Sequence, residues 1–503
     1  MLYIRTFLIM FVGLYTSRVI LKTLGVNDYG VYNVVGGFVS MLAYLNSVFV
    51  DATQRFMSFT LGEGNTQKLN TLFKTSMAIH FIIALIVLLV AESFGLWFVN
   101  AKLQIPPDRM VAANWVYQCS VFSLLLLIIN IPYRACVVAH EHMNLYAYIS
   151  VVDALLKLCI VFLLVLIPGD KLIIYALLYL TISISIPLCF TLYCKRRFRE
   201  CTFGFKIDRS LFKEMFGYAG WVLVGNLGFS FKDQFSNVIM NLFLGSAINA
   251  SRGLATQVNG IVTSFGNSFM TALAPQITKS YAAGNLMRSQ KLIVSGARYS
   301  FFLMSLFVIP ICVNIDYVLH LWLGKVPEYT SIFVIIILIA STFYSASKTL
   351  TIGIQATGNI KVFQIGISII MLLELPIAYL LLKNGYAPYY ALLPAILTQI
   401  LGIVFRVIVL KQHVPSFDLN KYLTSVFCVC LPLMAACYIS FLFINKLFEI
   451  TFWTFVITSL LYVSIICIVV CFVGLNPEER KLMKNFVIEK IQFHKFHKDE
   501  SNN

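Results

Sequence analysis

Apolar runs of about 18 or more residues recur along the whole of this 503-residue chain, and no other feature limits its fold as severely. Within hydrocarbon every backbone polar group must be satisfied by the protein itself, so only helices and closed barrels can cross. Barrel strands alternate apolar and polar residues at every second position, and these runs do not. The chain therefore reads as an all-α polytopic membrane protein. Composition agrees. Hydrophobic residues make up 59% and charged residues 12%, where a soluble domain carries about a quarter charged.

Fourteen spans are predicted, at 2–21, 29–57, 73–98, 110–133, 144–167, 172–193, 216–243, 250–275, 292–313, 329–355, 361–382, 387–410, 422–445 and 450–474. The net charge of +16 then speaks to topology. If the N-terminus is inside, the inner loops and tail hold 22 lysines and arginines and the outer loops seven. That bias predicts a multi-pass protein with both termini in the cytoplasm. The basic stretch "CKRRFREC" (194–201) becomes a topology anchor facing anionic lipid, not a nucleic-acid patch. No cleavable signal peptide, soluble domain or phosphate-binding loop is expected, so ATP is not the energy source.

The twelve cysteines lie mostly in spans or on the inner side. They predict neither a disulfide framework nor a zinc site, because the Cys-x6-Cys of Cys194 and Cys201 is not a ligand spacing. The "HEH" at 140–142 could bind a metal, but as a loop tripeptide with no further cluster it reads as solvent-facing. Two amphipathic segments, "IDRSLFKEMF" from Ile207 and the stretch after Asn476, read as interfacial helices.

The chain also resembles itself. Gly25 to Gly64 and Gly245 to Gly284 are stretches of equal length, each opening Leu-Gly and closing Gly-Asn. A second echo pairs "AHEHMNLY" from Ala139 with "ATGNIKVF" from Ala356. These matches, in order and at similar offsets, predict a duplicated six-helix unit. An even number of spans inserts both copies the same way up, with the substrate site between them near midplane. The expected organisation is a six-helix unit over 1–193, a linker over 194–215, a second unit over 216–411, spans 13 and 14 within 419–475, and a tail over 476–503. The two last spans carry no charged residue, which suits lipid or a lipid-like ligand.

Charged side chains inside spans cost about 2.5–3.5 kcal/mol or more against lipid, so they should face the interior. Asp153 and Lys157, four apart, can pair along one helix face. Lys232 and Asp233 are adjacent and need separate partners. Glu92 and Arg406 lie near span ends and are expected to snorkel. What remains is a cationic excess of Arg18, Lys22, Arg55, Arg252, Arg298 and Lys348, drawn from both units. A cavity between the units would present these cations to an anionic substrate, since arginine forks match phosphate oxygens. Asp51, Asp233 and Glu374 are the carboxylates available for coupling to protons or sodium. No metal and no other cofactor is expected.

The stretch "LIMFVGLYTSRVILKTLGVNDYGVYNVVGG" followed by "ATQRFMSFTLGEGN" resembles the bacterial Wzx-type polysaccharide flippases, within the multidrug/oligosaccharidyl-lipid/polysaccharide (MOP) exporter superfamily. The likeness is strongest over residues 1–75. It implies movement of an undecaprenyl-pyrophosphate-linked oligosaccharide from the inner to the outer leaflet of the cytoplasmic membrane. Glycan polymerase and assembly proteins are the partners it implies, with no nucleic acid. Ser17-Arg18 and Ser251-Arg252 fall where related lipid-linked precursor flippases place arginines, so the resemblance implies that both contact the pyrophosphate. In those relatives spans 13 and 14 hold the polyprenyl tail. Asp51 departs from the family pattern and could pair with Arg55.

Two rivals follow. A cation-coupled multidrug exporter of the same superfamily typically has twelve spans and often a carboxylate in the first helix, whereas residues 2–21 contain no acid. A membrane-bound glycosyl polymerase or ligase should carry a long outer loop with catalytic residues, and none is predicted. The chain reads as a transporter and not an enzyme. The sugars carried, and whether they build O-antigen, capsule or another glycan, are not written in it.

Overall fold

The computed structural model describes residues 2–101, 105–202, 204, 207–324, 326–445, 451–475 and 479–481; side chains of several helical residues, Arg18 and Lys22 among them, lie outside that description. The described residues form helices and short turns, without a strand. Helices α1 (Leu2–Glu63), α2 (Thr66–Val90), α3 (Leu96–Ala101), α4 (Met110–Ala139), α5 (Met143–Leu166) and α6 (Lys171–Arg197) build the first half. The second half holds α7 (Arg209–Ala282), α8 (Leu286–Val313), α9 (Ile315–Leu323), α10 (Thr330–Thr357), α11 (Lys361–Leu372), α12 (Glu374–Lys383) and α13 (Leu393–His413). Short α14 (Leu419–Leu423), then α15 (Val429–Asn445) and α16 (Phe452–Val469), follow. Ten stretches among the described residues are long and apolar enough to cross a membrane. The chain is a multi-pass membrane protein.

Helices α1 and α7, of 62 and 74 residues, are far longer than one crossing needs. Each turns back on itself. Arg252 lies 19 residues after Asp233, about 28 Å along a straight helix, yet its Nη2 donates to Asp233 Oδ1 at 3.0 Å. In α1, Arg5 sits 4.9 Å from the ring centroid of Tyr146. Gly62, near the other end of α1, abuts Lys279, whose ammonium pairs with Glu141 at 2.8 Å. Both ends of α1 thus reach the same end of the molecule.

Loops gather alternately at two ends, as the predicted spans require. At one end Asn70 donates to the Glu200 carbonyl at 3.2 Å and Gln290 to Ser416 at 2.7 Å. This is the basic end, bearing Lys195, Arg196 and Arg197 on the last turn of α6. At the opposite end Arg109 forks between Asp28 at 2.5 Å and Asp170 at 2.7 Å. The Arg109 hydrogen bond holds the Asp170 carboxyl below the usual carboxylate range. Asp170 also caps α6 by accepting from the Leu172 and Ile173 amides.

The repeated sequence carries repeated turns. Gly64 and Gly284 take φ 72° and 74°, a left-handed conformation that costs glycine little. The asparagine after each accepts a backbone N–H three residues on, Asn65 from Lys68 and Asn285 from Arg288. The second echo behaves likewise, with Glu141 at φ 62° and Gly358 at φ 82°. Residues 209–215, expected as a separate interfacial helix, form the first turns of α7 after the N-cap Asp208. Of the predicted tail helix, only residues 479–481 fall among the described residues.

Among the described residues, ring contacts between the halves gather toward the basic end. Phe49 meets Phe216 and Phe56 meets Tyr218 edge-on, with centroids 5.4 and 5.7 Å apart. At Gly62 a Cβ would lie 2.5 Å from the Lys279 carbonyl oxygen, so only hydrogen fits. Gly62→Val is expected to push α1 and α7 apart and cost about 1–3 kcal/mol. A lower melting temperature in detergent would show it, and an unchanged one would contradict this close approach.

Candidate functional site

Between the halves lies a cavity of ≈ 420 Å³. Its first wall is the second pass of α1, which contributes Asp51, Gln54, Arg55 and Ser58. Opposite stand both passes of α7 (Asn226, Asn267, Thr271, Thr278), α10 (Tyr344, Lys348, Thr351, Gln355), α11 (Gln364, Ser368) and Arg406 of α13. Close backbone approach sets part of that wall. A Cβ on Gly225 would fall 2.0 Å from Gln364 Oε1, and one on Gly228 would fall 2.6 Å from Ser368 Oγ. Small residues three apart let α7 lie against α11 and hold those polar groups at the surface of the cavity.

Four charged side chains line the cavity, three cationic and one acidic. Arg55 is buried, and its guanidinium turns to the end of α10 rather than to Asp51. It donates to the carbonyl oxygens of Gln355 at 3.1 Å and Ala356 at 2.9 Å. A cation at a helix C-terminus is favourably placed against the macrodipole. The rings of Phe56, Phe59 and Tyr218 pack around it within 5.4 Å. Lys348 donates to Asn267 Oδ1 at 2.6 Å and attracts Asp51 across the cavity.

The remaining sequence candidates lie elsewhere. Arg298 is buried but bonds to Glu479, beyond the last helix, so it does not line the cavity. Its partner is 181 residues away, which is why it read as unpaired. Arg252 is buried on Asp233 and Asn237, nearer the end where its neighbour Ser251 bonds the Glu328 carbonyl at 2.9 Å. Arg18 and Lys22 lie on α1, with side chains outside the described residues. Among the carboxylates, Asp51 faces the cavity, Asp233 is held by Arg252, and Glu374 pairs with Lys232 at 3.4 Å. Asp153 and Lys157 pair at 2.9 Å, as their spacing predicts.

Both members of the Lys232–Glu374 pair are buried. Removing one partner of such a pair costs about 3–5 kcal/mol, because an uncompensated charge is left behind. Glu374→Ala is therefore expected to destabilise strongly, and the double change Lys232→Met with Glu374→Leu to recover most of the loss. Thermal unfolding of the three proteins checks this; equal losses from the single and double variants would contradict it.

Arg406 corrects the sequence reading. It does not snorkel but is 3% exposed and lines the cavity. Its Nε donates to Thr351 Oγ1 at 3.0 Å and Tyr344 lies 5.9 Å away, while Nη1 is buried with no hydrogen-bond partner. The available signal was that span 387–410 contains no acid to pair it. The "HEH" loop is also not simply solvent-facing, since His140 bonds Glu200 and stacks on Phe198 with centroids 4.1 Å apart.

A sequence profile of the family described as polysaccharide biosynthesis protein matches residues 1–281. No curated protein sequence matches the chain at a significant level. Among solved structures, a MATE transporter in the bent conformation is similar with a TM-score of 0.70 at 12% identity, covering 82% of this chain and 95% of that one. An outward-facing multidrug resistance MATE family transporter of the MOP superfamily gives 0.69 at 13% identity, covering 82% and 95%. A MOP superfamily transporter from Pyrococcus furiosus, described for the reversed polarity of its binding pocket, gives 0.67 at 12% identity, covering 82% and 95%. At such identities these likenesses establish the fold alone. The profile match over more than half of the chain identifies the family: the chain is a multi-pass membrane protein that belongs to the polysaccharide biosynthesis proteins, and its fold is the one seen in MATE transporters of the MOP superfamily.

Proposed function

We propose that this transporter flips an undecaprenyl-pyrophosphate-linked oligosaccharide from the inner to the outer leaflet of a bacterial cytoplasmic membrane. The observation that carries this reading is the cavity between the halves, with three cations against one carboxylate amid amides and hydroxyls. Guanidinium forks complement phosphate oxygens, and the neutral polar groups suit sugar hydroxyls. Membership of a polysaccharide biosynthesis family supports the same substrate class.

In this reading units 1–193 and 216–411 rock about the cavity, joined by the 194–215 linker. Two crossings for each folded-back helix, added to the ten other spans, make fourteen. The basic end faces the cytoplasm with both termini. Arg18, Lys22, Arg55, Arg252, Lys348 and Arg406 provide the cationic path, while the charge-free helices α15 and α16 take the polyprenyl tail. Asp51 is the carboxylate assigned to proton or sodium coupling, with no other cofactor needed. Glycan polymerase and assembly proteins are its working partners.

The MATE-like fold favours one alternative, a cation-coupled exporter of small molecules, for which Asp51 would bind the cargo or the coupling ion. Thermal stability of the purified protein with added lipid separates the two. Undecaprenyl pyrophosphate should raise the melting temperature and undecaprenol should not. A rise with cationic drugs, and none with the pyrophosphate, would overturn the flippase reading.

A further inference from the structure

At the basic end, away from the cavity, three thiols, an imidazole and a carboxylate converge. Cys136 on the last turn of α4 and His140, its C-cap, are four residues apart, which brings both to one side of the helix end. Cys194 is on the last turns of α6. Glu200 and Cys201 lie just beyond, in the turn closed by the Cys201 amide donating to the Phe198 carbonyl at 3.2 Å. The Sγ atoms of Cys136 and Cys201 are 3.4 Å apart, and the Cys194 thiol lies beside them, donating to the Tyr133 carbonyl at 3.4 Å. Cys136 Sγ is 3.7 Å from Glu200 Oε1, which in turn bonds His140 Nε2. One ligand atom each from Cys136, His140 and Glu200 lie within 4.8 Å of one another. All three cysteines are buried.

Three thiols packed against one another, with no bond between them, are poor company for any purpose except soft-metal coordination or oxidation. Thiolates about 2.3 Å from one tetrahedral zinc stand a little under 4 Å apart, close to the spacing found. From this geometry we propose that the cluster is a structural zinc site, in which Cys136, Cys194, Cys201 and His140 bind one Zn²⁺ and Glu200 orients His140. The stacked Phe198 ring fixes the imidazole plane. A carboxylate bonded to a ligating histidine is the usual outer support of such a site. Binding releases three thiol protons and leaves the three-thiolate centre with one net negative charge, which the adjoining Lys195, Arg196, Arg197 and Arg199 offset.

The ion would tie the end of α4 to the end of α6 and to the first turn of the linker. That linker is already tethered to α2 through Asn70, which donates to the Glu200 carbonyl and to Thr202 Oγ1. The strand of chain joining the two halves would then leave the first half from a fixed point. The sequence reading missed the site because it weighed the Cys-x6-Cys pair and the His-Glu-His loop separately and set each aside. The donors come from two helices and a turn, and only the Cys-x3-His spacing on α4 hints at them.

The test uses the full chain purified in detergent with reductant and without chelator. Metal analysis should give about one zinc per chain, and the double variant Cys136→Ser with Cys201→Ser should carry none. Exchange into Co²⁺ should produce thiolate-to-cobalt charge-transfer absorption and intense visible bands of a tetrahedral thiolate-rich site, read on the unaltered protein so that a misfolded variant cannot confuse the result. Zinc-free protein that also fails to give the cobalt spectrum would overturn the proposal. So would a Cys136–Cys201 disulfide found by mass after alkylation of the protein freshly taken from cells, since that would assign the thiols to redox chemistry.

Discussion

Arg55→Ala is expected to stop transport by unlatching the basic end of the cavity. Arg55 belongs to the first half, yet its two hydrogen bonds end on the final carbonyls of α10 in the second. The Gln355 carbonyl already accepts from the Gly358 amide at 3.1 Å, so the guanidinium adds a second bond there, takes the Ala356 carbonyl beside it, and brings its charge to the negative end of the helix. The contact is expected to break when the two halves part at the basic end. Hydrogen bonds to a charged group are worth about 1.5–3 kcal/mol each, so losing roughly 3 kcal/mol from the closed state shifts the balance between states about 100-fold. A cysteine introduced for Ser58, which lines the cavity, reports the change. An impermeant maleimide added on the basic side should label it far faster in the Arg55→Ala background, and an unchanged rate would contradict the latch. Arg55→Lys should rescue little, because an ammonium cannot reproduce the fork or its packing among three rings.

Arg406→Gln should separate stability from function. A buried cation without an acid partner among the described residues, and with Nη1 unsatisfied, lowers stability unless something else needs it. Glutamine removes the charge and can still meet Thr351. The variant is expected to be more stable by about 1–3 kcal/mol and to transport at least ~10-fold more slowly, a loss of about 1.4 kcal/mol or more in the rate-limiting barrier. Melting temperature and transport measured on the same preparation decide. A falling melting temperature with transport retained would make Arg406 a structural residue.

Much of the fold was legible because a membrane leaves few choices. Apolar runs, the loop charge bias and the internal echo marked the crossings, the alternation of the ends, and the matching turns at Gly64 and Gly284. The site was less legible, because a charge in a span announces a need for a partner without naming it. Asp153 and Lys157 could be paired from spacing alone. Arg298 could not, since Glu479 is brought to it only by the last two helices. Asp233 and Arg252 meet only because α7 turns back, and the reading that separated them into adjacent spans did not foresee their contact. Arg406 was misread because nearness to a span end says nothing about which way a helix faces.

The most direct measurement follows the lipid-linked oligosaccharide itself. In cells lacking the gene, radiolabelled polyprenyl-linked oligosaccharide should accumulate on the cytoplasmic face, and the wild-type protein should release it to the outer face while a well-folded Arg406→Gln variant should not. Intact surface glycan with no accumulation would contradict the account and leave a transporter of some other cargo.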